Sequence, residues 1–148
     1  MKIKYVYHGS ARKLTGEKLV PKRARDVDGK PENILRGVYA SDIIDEAIAM
    51  GILSCKGVKG ASCGVHRQNS KMVDAIIYDG WPLQDYFYLY TLASKNFENR
   101  PDGSHQWVSP RPVKPEKIEK LSIRKYLHLI RKATKKEKER WFNQNGAK

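Results

Sequence analysis

Two short motifs near the start of the chain carry the residues whose types and spacing suit a particular chemistry. The first is Tyr7-His8-Gly9-Ser10, and the second is Gly37-Val38-Tyr39-Ala40-Ser41. An imidazole, an aromatic ring and the exposed backbone amides of a glycine can together hold a flat amide heterocycle attached to a ribose, because the ring stacks while the polar groups hydrogen-bond. We therefore expect the two motifs to form one binding site.

This chemistry requires each motif to lie at the end of a strand. Residues 2–8 alternate polar and apolar side chains of β-branched and aromatic type, which predicts a strand. Residues 38–40 predict a second, short strand, and Ser41 or Asp42 is a suitable N-cap for a helix. That helix is predicted from apolar residues at helical spacing, namely Ile43, Ile44, Ala47, Ile48 and Ile52.

The remaining chain predicts an α+β protein with several short strands, one early helix and one late helix. We expect loops over residues 9–36 and 54–71, and a helix from residue 124 to about residue 143. Residues 1–123 form one predicted domain, and residues 124–148 a basic C-terminal helix packed on it or appended to it. Further strands are predicted at residues 73–78, 86–93, 105–109 and 116–123.

The two motifs, in this order, resemble the poly(ADP-ribose) polymerase and diphtheria-toxin branch of the ADP-ribosyltransferase superfamily. The family's third element, a glutamate on a late strand, corresponds here to residues 105–109, His-Gln-Trp-Val-Ser. The resemblance implies two small sheets, antiparallel or mixed, around an NAD cleft with few helices. It also implies NAD as a substrate and transfer of ADP-ribose to a macromolecule.

The resemblance assigns a role to each matching residue. Gly9 lets the nicotinamide carboxamide pair with backbone groups, His8 hydrogen-bonds a ribose hydroxyl, and Tyr39 stacks on the nicotinamide ring. Gln106 stands at the position of the catalytic glutamate, so the implied catalytic residues are His8, Tyr39 and Gln106. The implied cofactor-binding positions are His8, Gly9, Ser10, Tyr39, Ala40, Ala47 and Met50.

Gln106 departs from the family pattern because a carboxamide carries no negative charge. Losing one well-placed electrostatic contact commonly slows an enzyme by about 10²–10³, so we expect weak activity, single transfers or none. Glu98 and Asp102 are the nearest acids that could substitute. Ala47 and Met50 also stand where polymerase-type relatives carry a serine and a second tyrosine.

Positive charge is concentrated at the two ends of the chain, which has a net charge of +13. Residues 1–36 hold ten Lys/Arg against four Asp/Glu, and residues 110–148 hold thirteen against four. Such a field attracts polyanions, so DNA, RNA or an acidic protein is the expected acceptor. Candidate phosphate or nucleic-acid contacts are Arg23, Arg25, Lys132, Lys135 and Lys136.

Two other interpretations stay open. A related fold variant, an RNA 2′-phosphotransferase-like activity, uses a different set of basic pocket residues, whose pattern we do not find. A non-enzymatic, basic nucleic-acid-binding accessory protein of phage or mobile-element type is the alternative from another class.

Metal and membrane functions are not predicted. Cys55 and Cys63 lie too far apart for a usual zinc pair, and two cysteines are too few for a disulfide framework. No apolar run approaches the roughly 20 residues of a membrane span. We expect a cytoplasmic protein.

Overall fold

A computed structural model describes residues 3–23, 36–65 and 73–144. These residues form two β-sheets and two α-helices, which confirms the α+β class. Neither described helix has the length and apolar character that crossing a membrane requires.

The larger sheet contains the candidate motifs. Its strands lie in the order β7, β8, β3, β1, β6 and β9, with β2 paired to β3 outside this path. All the pairings in this sheet are antiparallel. The strand bounds are β1 Tyr5–Ser10, β2 Lys22–Arg23, β3 Arg36–Ser41, β6 Tyr86–Ala93, β7 Glu98–Asn99, β8 Gln106–Ser109 and β9 Lys117–Ser122.

The smaller sheet has three strands, β4 (Val58–Val65), β5 (Val73–Gly80) and β10 (Ile130–Lys132). The central strand β5 is antiparallel to β4 and parallel to β10. A parallel partner must arrive by a long connection, and here the larger sheet's last strands and a 3₁₀ segment, Ile123–Leu129, provide it.

Helix α1 (Ile44–Leu53) lies between the sheets and contacts β1 as well as β4 and β5. Its apolar residues meet those of β5 and β6 in one core cluster, which includes Ala47, Ile52, Ile77 and Phe87. A second cluster covers the opposite face of the larger sheet, with Val6, Val38, Ala40, Tyr90 and Leu92 among its members. The larger sheet is thus buried on both faces where β1 and β3 run.

The predicted loop over residues 54–71 holds at residues 54–57 but is wrong farther on, because β4 occupies Val58–Val65. Small residues give β4 little intrinsic strand preference, but pairing with β5 and the fit of Trp141 against Gly60 select the extended form.

The late helix is much shorter than predicted. Helix α2 spans Lys135–Gln144, whereas Ile123–Leu129 is 3₁₀ and β10 follows it directly. Ile130 lies opposite Ala75 on β5 and is buried, so long-range pairing overrides the helical preference of this segment. The basic segment is therefore packed on the smaller sheet.

Candidate functional site

The three sequence elements that we expected to meet lie on neighbouring strands. Ser41 of β3 pairs with Tyr7 of β1 on one side and with Gln106 of β8 on the other. Residues directly opposite one another in an antiparallel sheet project to the same face. The side chains of Tyr7, Ser41 and Gln106 therefore form a row across three strands.

Beyond this row, β1 and β3 have no further ladder pair among the described residues, and we call this unpaired stretch the gap. Among the described residues, the register of these two strands consists of the pair Tyr7–Ser41, although β1 stays paired with β6 along its whole length. Beyond that pair, a side chain takes the place of the ladder, since His8 Nδ1 lies 2.6 Å from the carbonyl oxygen of Tyr39. The described parts of the two strands are thus without a ladder pair next to Gly9.

This contact fixes the protonation of the imidazole. A carbonyl oxygen only accepts, so Nδ1 of His8 must carry the proton that it donates to Tyr39. Burial lowers the pKa of His8; the Tyr39 carbonyl opposes this shift, and the nearby charge of Lys22 adds to it. The ring is therefore held neutral, with Nε2 as a hydrogen-bond acceptor.

His8 lies on the opposite face of the sheet from Tyr39 and Gln106. It pairs with Tyr90 of β6, their ring centroids are 6.1 Å apart, and Tyr90 belongs to the second core cluster. Tyr39 and Gln106 share the face that carries Ser41 because side chains alternate along a strand. A ligand could reach all three groups only by entering the gap between β1 and β3.

Gly9 is required by packing against α1. A Cβ at this position would lie 2.0 Å from the carbonyl oxygen of Ala47 and 2.8 Å from the amide nitrogen of Gly51. Ala47 is only 2% exposed, whereas Met50 on the same helix is 51% exposed. The close approach of α1 therefore requires a residue without a side chain here, and the backbone of Gly9 borders the gap.

The other motif residues have local partners. The hydroxyl of Ser10 accepts a hydrogen bond from the backbone N–H of Arg12 at 3.2 Å and stabilises the turn after β1. Ala40 is buried in the second core cluster opposite Trp107. Neither side chain projects toward the Tyr39 face.

Gln106 supports the turn that precedes β8. Its side-chain Nε2 donates a hydrogen bond to the carbonyl oxygen of Arg100 at 3.0 Å. Its backbone N–H donates to the Ser104 hydroxyl at 3.1 Å. Of the two substitute acids, Glu98 is paired with Arg100 at 2.7 Å, and Asp102 lies exposed in the turn. Both belong to the 98–106 segment rather than to the gap.

A polar cluster that the sequence analysis missed lies at the same end of β3. Asp42 accepts from His105 Nδ1 at 2.8 Å and from Trp107 Nε1 at 2.9 Å, so each carboxylate oxygen has one donor. Its side chain is 13% exposed, and that of His105 is 35% exposed. The cluster ties the start of β8 to the entry of α1.

A second acid, Glu46, lies in the first turn of α1, on the face of the sheet that carries Ser41. Burial raises the pKa of Glu46; Ser41 and His105 oppose this shift, and Asp42 adds to it.

Three of the five predicted phosphate contacts have described side chains. Lys132 on β10 lies 5.1 Å from the ring centroid of Trp81, while Lys135 and Lys136 are exposed at the start of α2. Arg23 belongs to β2, but its side chain lies outside the described residues, as does all of Arg25. The described side chains among these candidates are therefore the three C-terminal lysines.

A cavity of about 480 Å³ is formed at the far end of β1, away from the gap. Ile3, Tyr5, Ala93 and Glu116 are among its lining residues. Because it lies where β1 begins, whereas His8 and Gly9 lie where β1 ends, it contains none of the motif residues.

The two cysteines are free thiols. Burial raises the pKa of Cys55 to about 11 and that of Cys63 to about 12, so neither is an activated thiolate. Over the described ranges, no group of three or more His, Cys, Asp or Glu side chains is placed to hold a metal ion.

Comparison of the chain with protein-family models, with curated proteins and with solved structures finds no match. The functional conclusion therefore depends on the geometry of the gap and of the groups around it.

Proposed function

We propose that this chain is an ADP-ribosyltransferase-like protein that binds NAD in the gap between β1 and β3. The nicotinamide would lie beside the backbone of Gly9, with Tyr39 on one side of the sheet and His8 on the other. Transfer of ADP-ribose to a nucleic acid or a protein would be slow, because Gln106 carries no charge.

The observation that carries this proposal is the single ladder pair, Tyr7–Ser41, that joins β1 to β3 among the described residues. The neighbouring pairings are longer: β1 pairs with β6 at six positions, and β3 pairs with β8 at four. A strand edge that borders a gap can pair with a ligand amide much as it would pair with another strand. Carboxamide recognition is the chemistry that such an edge provides.

The neutral state of His8 supports the same proposal. With Nδ1 bound to the Tyr39 carbonyl, Nε2 remains the acceptor, which suits a ribose hydroxyl as the donor. A neutral imidazole also avoids placing a positive charge beside the cationic nicotinamide ring.

Calorimetric titration with NAD tests the proposal directly. We expect the wild type to bind, and Tyr39→Ala to weaken binding by roughly fivefold through the lost stacking contact. His8→Ala should weaken it as well. His128→Ala, at an exposed histidine of the 3₁₀ segment, is the matched control and should bind as the wild type does. No heat with the wild type, or unchanged binding by both variants, would overturn the proposal.

A nucleic-acid-binding function is the second candidate, and the orientation of α2 favours it. Trp141 stacks on Tyr78 with ring centroids 5.4 Å apart and planes 4° apart, which turns that side of α2 toward the smaller sheet. The exposed side presents Lys135, Lys136 and other basic residues. Arg131 contributes less, because Glu137 and Asp74 pair with it.

Phosphate contacts of this kind would depend strongly on salt and weakly on sequence. A DNA or RNA shift assay across a salt series gives the slope of the logarithm of the binding constant against the logarithm of the salt concentration. The magnitude of this slope should fall by about 2 in the double variant Lys135→Gln/Lys136→Gln. The control is Lys117→Gln/Lys120→Gln on β9, away from α2. A response to salt that is flat in the wild type would exclude this function.

A further inference from the structure

Trp81 lies in the loop after β5, and its ring carries a lysine. The Nζ atom of Lys132 lies over the indole, 5.1 Å from the ring centroid, and Lys132 is exposed. Trp81 itself is half-buried and packs against the core cluster that α1 shares with β5 and β6. Because an exposed ammonium stays in water, the ring face that it covers is the one that a ligand can reach.

The loop that holds Trp81 is fixed by hydrogen bonds to the turn before β4. The backbone N–H of Trp81 donates to the carbonyl oxygen of Gly57 at 3.1 Å. That of Leu83 donates to the carbonyl oxygen of Lys56 at 2.7 Å, and the N–H of Lys56 donates to Gln84 Oε1 at 3.0 Å. Leu83 is nevertheless 73% exposed, so the loop projects from the surface. A ring held in place in advance costs little ordering when a ligand binds.

The aromatic ring lies beside the start of the basic C-terminal segment. Lys132 ends β10 and stands three residues before Lys135 in the chain, so the Cα atoms of these two lysines are at most about 11 Å apart. Within the described part of the chain, neither ammonium is paired with a carboxylate. A reachable aromatic face next to unpaired cations is the combination that proteins use to bind single-stranded nucleic acid.

We infer that Trp81 is a base-stacking platform and that this surface binds a single strand of DNA or RNA, with phosphates on Lys132 and Lys135. This inference rests on the nucleic-acid-binding function proposed above as the second candidate, and it is independent of NAD binding. A single strand offers the flat faces of its bases, whereas in a duplex those faces are covered by neighbouring base pairs. A run of carboxylates on an acidic protein would satisfy the lysines but would offer the indole no flat face.

The first test compares ligands that differ in their bases. Fluorescence anisotropy at one salt concentration measures the binding of labelled oligothymidylate, an abasic strand of the same length, a duplex of the same length and polyglutamate. We expect the wild type to bind oligothymidylate about tenfold more tightly than the abasic strand, which has the same phosphates but nothing to stack. The duplex and polyglutamate should also bind more weakly than oligothymidylate.

The second test removes the aromatic face. Trp81→Leu should weaken oligothymidylate binding by about tenfold at every salt concentration and leave the salt slope unchanged, because stacking releases no counterions. Trp81→Phe keeps a ring and should bind within a few-fold of the wild type. The matched control is Tyr5→Leu, at the start of β1. Tyr5 is 39% exposed and has Lys4 Nζ at 5.5 Å from its ring centroid, so its loss should change nothing.

A spectroscopic measurement detects the stacking contact without a destabilising variant. Stacking on a base quenches indole fluorescence, so oligothymidylate should quench the wild type. The quenching should be lost in Trp81→Phe, although this variant still binds the strand. Lys132→Gln should lower the magnitude of the salt slope by about 1, as expected for one phosphate contact.

The outcomes separate this inference from the function on which it rests. A wild type that binds none of the nucleic acids overturns both, and so does tighter binding of polyglutamate than of any nucleic acid. Equal affinities for oligothymidylate and the abasic strand overturn the stacking platform alone. Tighter binding of the duplex, or quenching that persists in Trp81→Phe, does the same and leaves nucleic-acid binding standing.

Discussion

His8 Nδ1 donates a hydrogen bond of 2.6 Å to the carbonyl oxygen of Tyr39, at the place where β1 and β3 separate. One side chain thus performs the task that ladder hydrogen bonds perform elsewhere in the sheet. The contact requires a protonated Nδ1 and a half-buried ring, and both conditions have measurable consequences.

Stability should depend on the protonation of His8. Its folded-state pKa lies below the ordinary value of 6.5, so the unfolded chain binds the proton more readily. The stabilisation is present above pH 6.5 and is lost as the pH falls below it, by on the order of 1 kcal/mol per pH unit until the folded-state pKa is reached. Urea unfolding from about pH 5 to about pH 8, the range over which histidine ordinarily titrates, measures this loss.

The matched variants for this measurement are His8→Asn and His128→Asn. Asparagine can still donate to the Tyr39 carbonyl but does not titrate, so His8→Asn should flatten the acid side of the stability curve. The exposed His128 should have little effect. A curve that keeps its slope in His8→Asn would show that another group is responsible.

Gly9→Ala should destabilise the protein strongly. The new methyl group would meet the backbone of Ala47 and Gly51, which cannot rotate away, so we expect a loss of about 2 kcal/mol or more. Gly64→Ala on β4 is the control, because a methyl group added there would have no neighbouring atom within 4 Å. Chemical denaturation of both variants measures the difference, and equal stabilities would contradict the packing of α1 on β1.

Asp42→Ala should cost more stability than Asp42→Asn. The alanine leaves His105 Nδ1 and Trp107 Nε1 without their acceptor, which should lower the free energy of unfolding by about 1–3 kcal/mol. Asparagine keeps one carbonyl oxygen as an acceptor. Thermal melts compare the two, with the exposed Asp102→Ala as a neutral control. Similar losses in both variants would mean that the cluster contributes through charge rather than through hydrogen bonding.

Trp141→Ala should release α2 from the smaller sheet. The indole stacks on Tyr78 and fills the space above Gly60, where a Cβ would lie 2.4 Å from the ring. Hydrogen exchange over residues 135–144 should accelerate in Trp141→Ala and in Gly60→Ala alike. Trp141→Phe preserves part of the stack and should lie between the wild type and Trp141→Ala; unchanged exchange in Gly60→Ala would contradict the fit.

Gln106→Glu should accelerate nicotinamide release if the proposed function holds. The variant adds a negative charge on β8, and we expect its rate of nicotinamide release to exceed that of the wild type by roughly 10-fold to 100-fold. It loses the donor to the Arg100 carbonyl, so a thermal melt must accompany the rate measurement. Gln144→Glu at the end of α2 provides the control, and equal rates in all three proteins would argue against a site at β8.

Much of the larger sheet could be predicted from sequence, because its strands carry their own signal. Residues 86–93 form the strand that their aromatic and β-branched content predicts, and this strand lies inside the sheet. The helix after Ser41 also follows its apolar spacing and begins within a few residues of the predicted cap. In these elements the local preference and the tertiary structure agree.

The smaller sheet could not be predicted in the same way, because its outer strands depend on distant partners. Gly60, Ser62 and Gly64 predict a loop, yet pairing with β5 makes them a strand. The site shows the same limit. Nothing near Asp42 in the sequence indicates His105, which is 63 residues away.

Strand β10 also bears on how the chain acquires its shape. The edge of β5 that it covers includes Ile76 and Ile77, and it is covered only once residues 130–132 have been synthesised. A chain ending earlier would expose an apolar strand edge, which readily pairs with other chains. Premature termination would then produce a self-associating fragment, and protection from aggregation would come from one of the last parts of the fold to form.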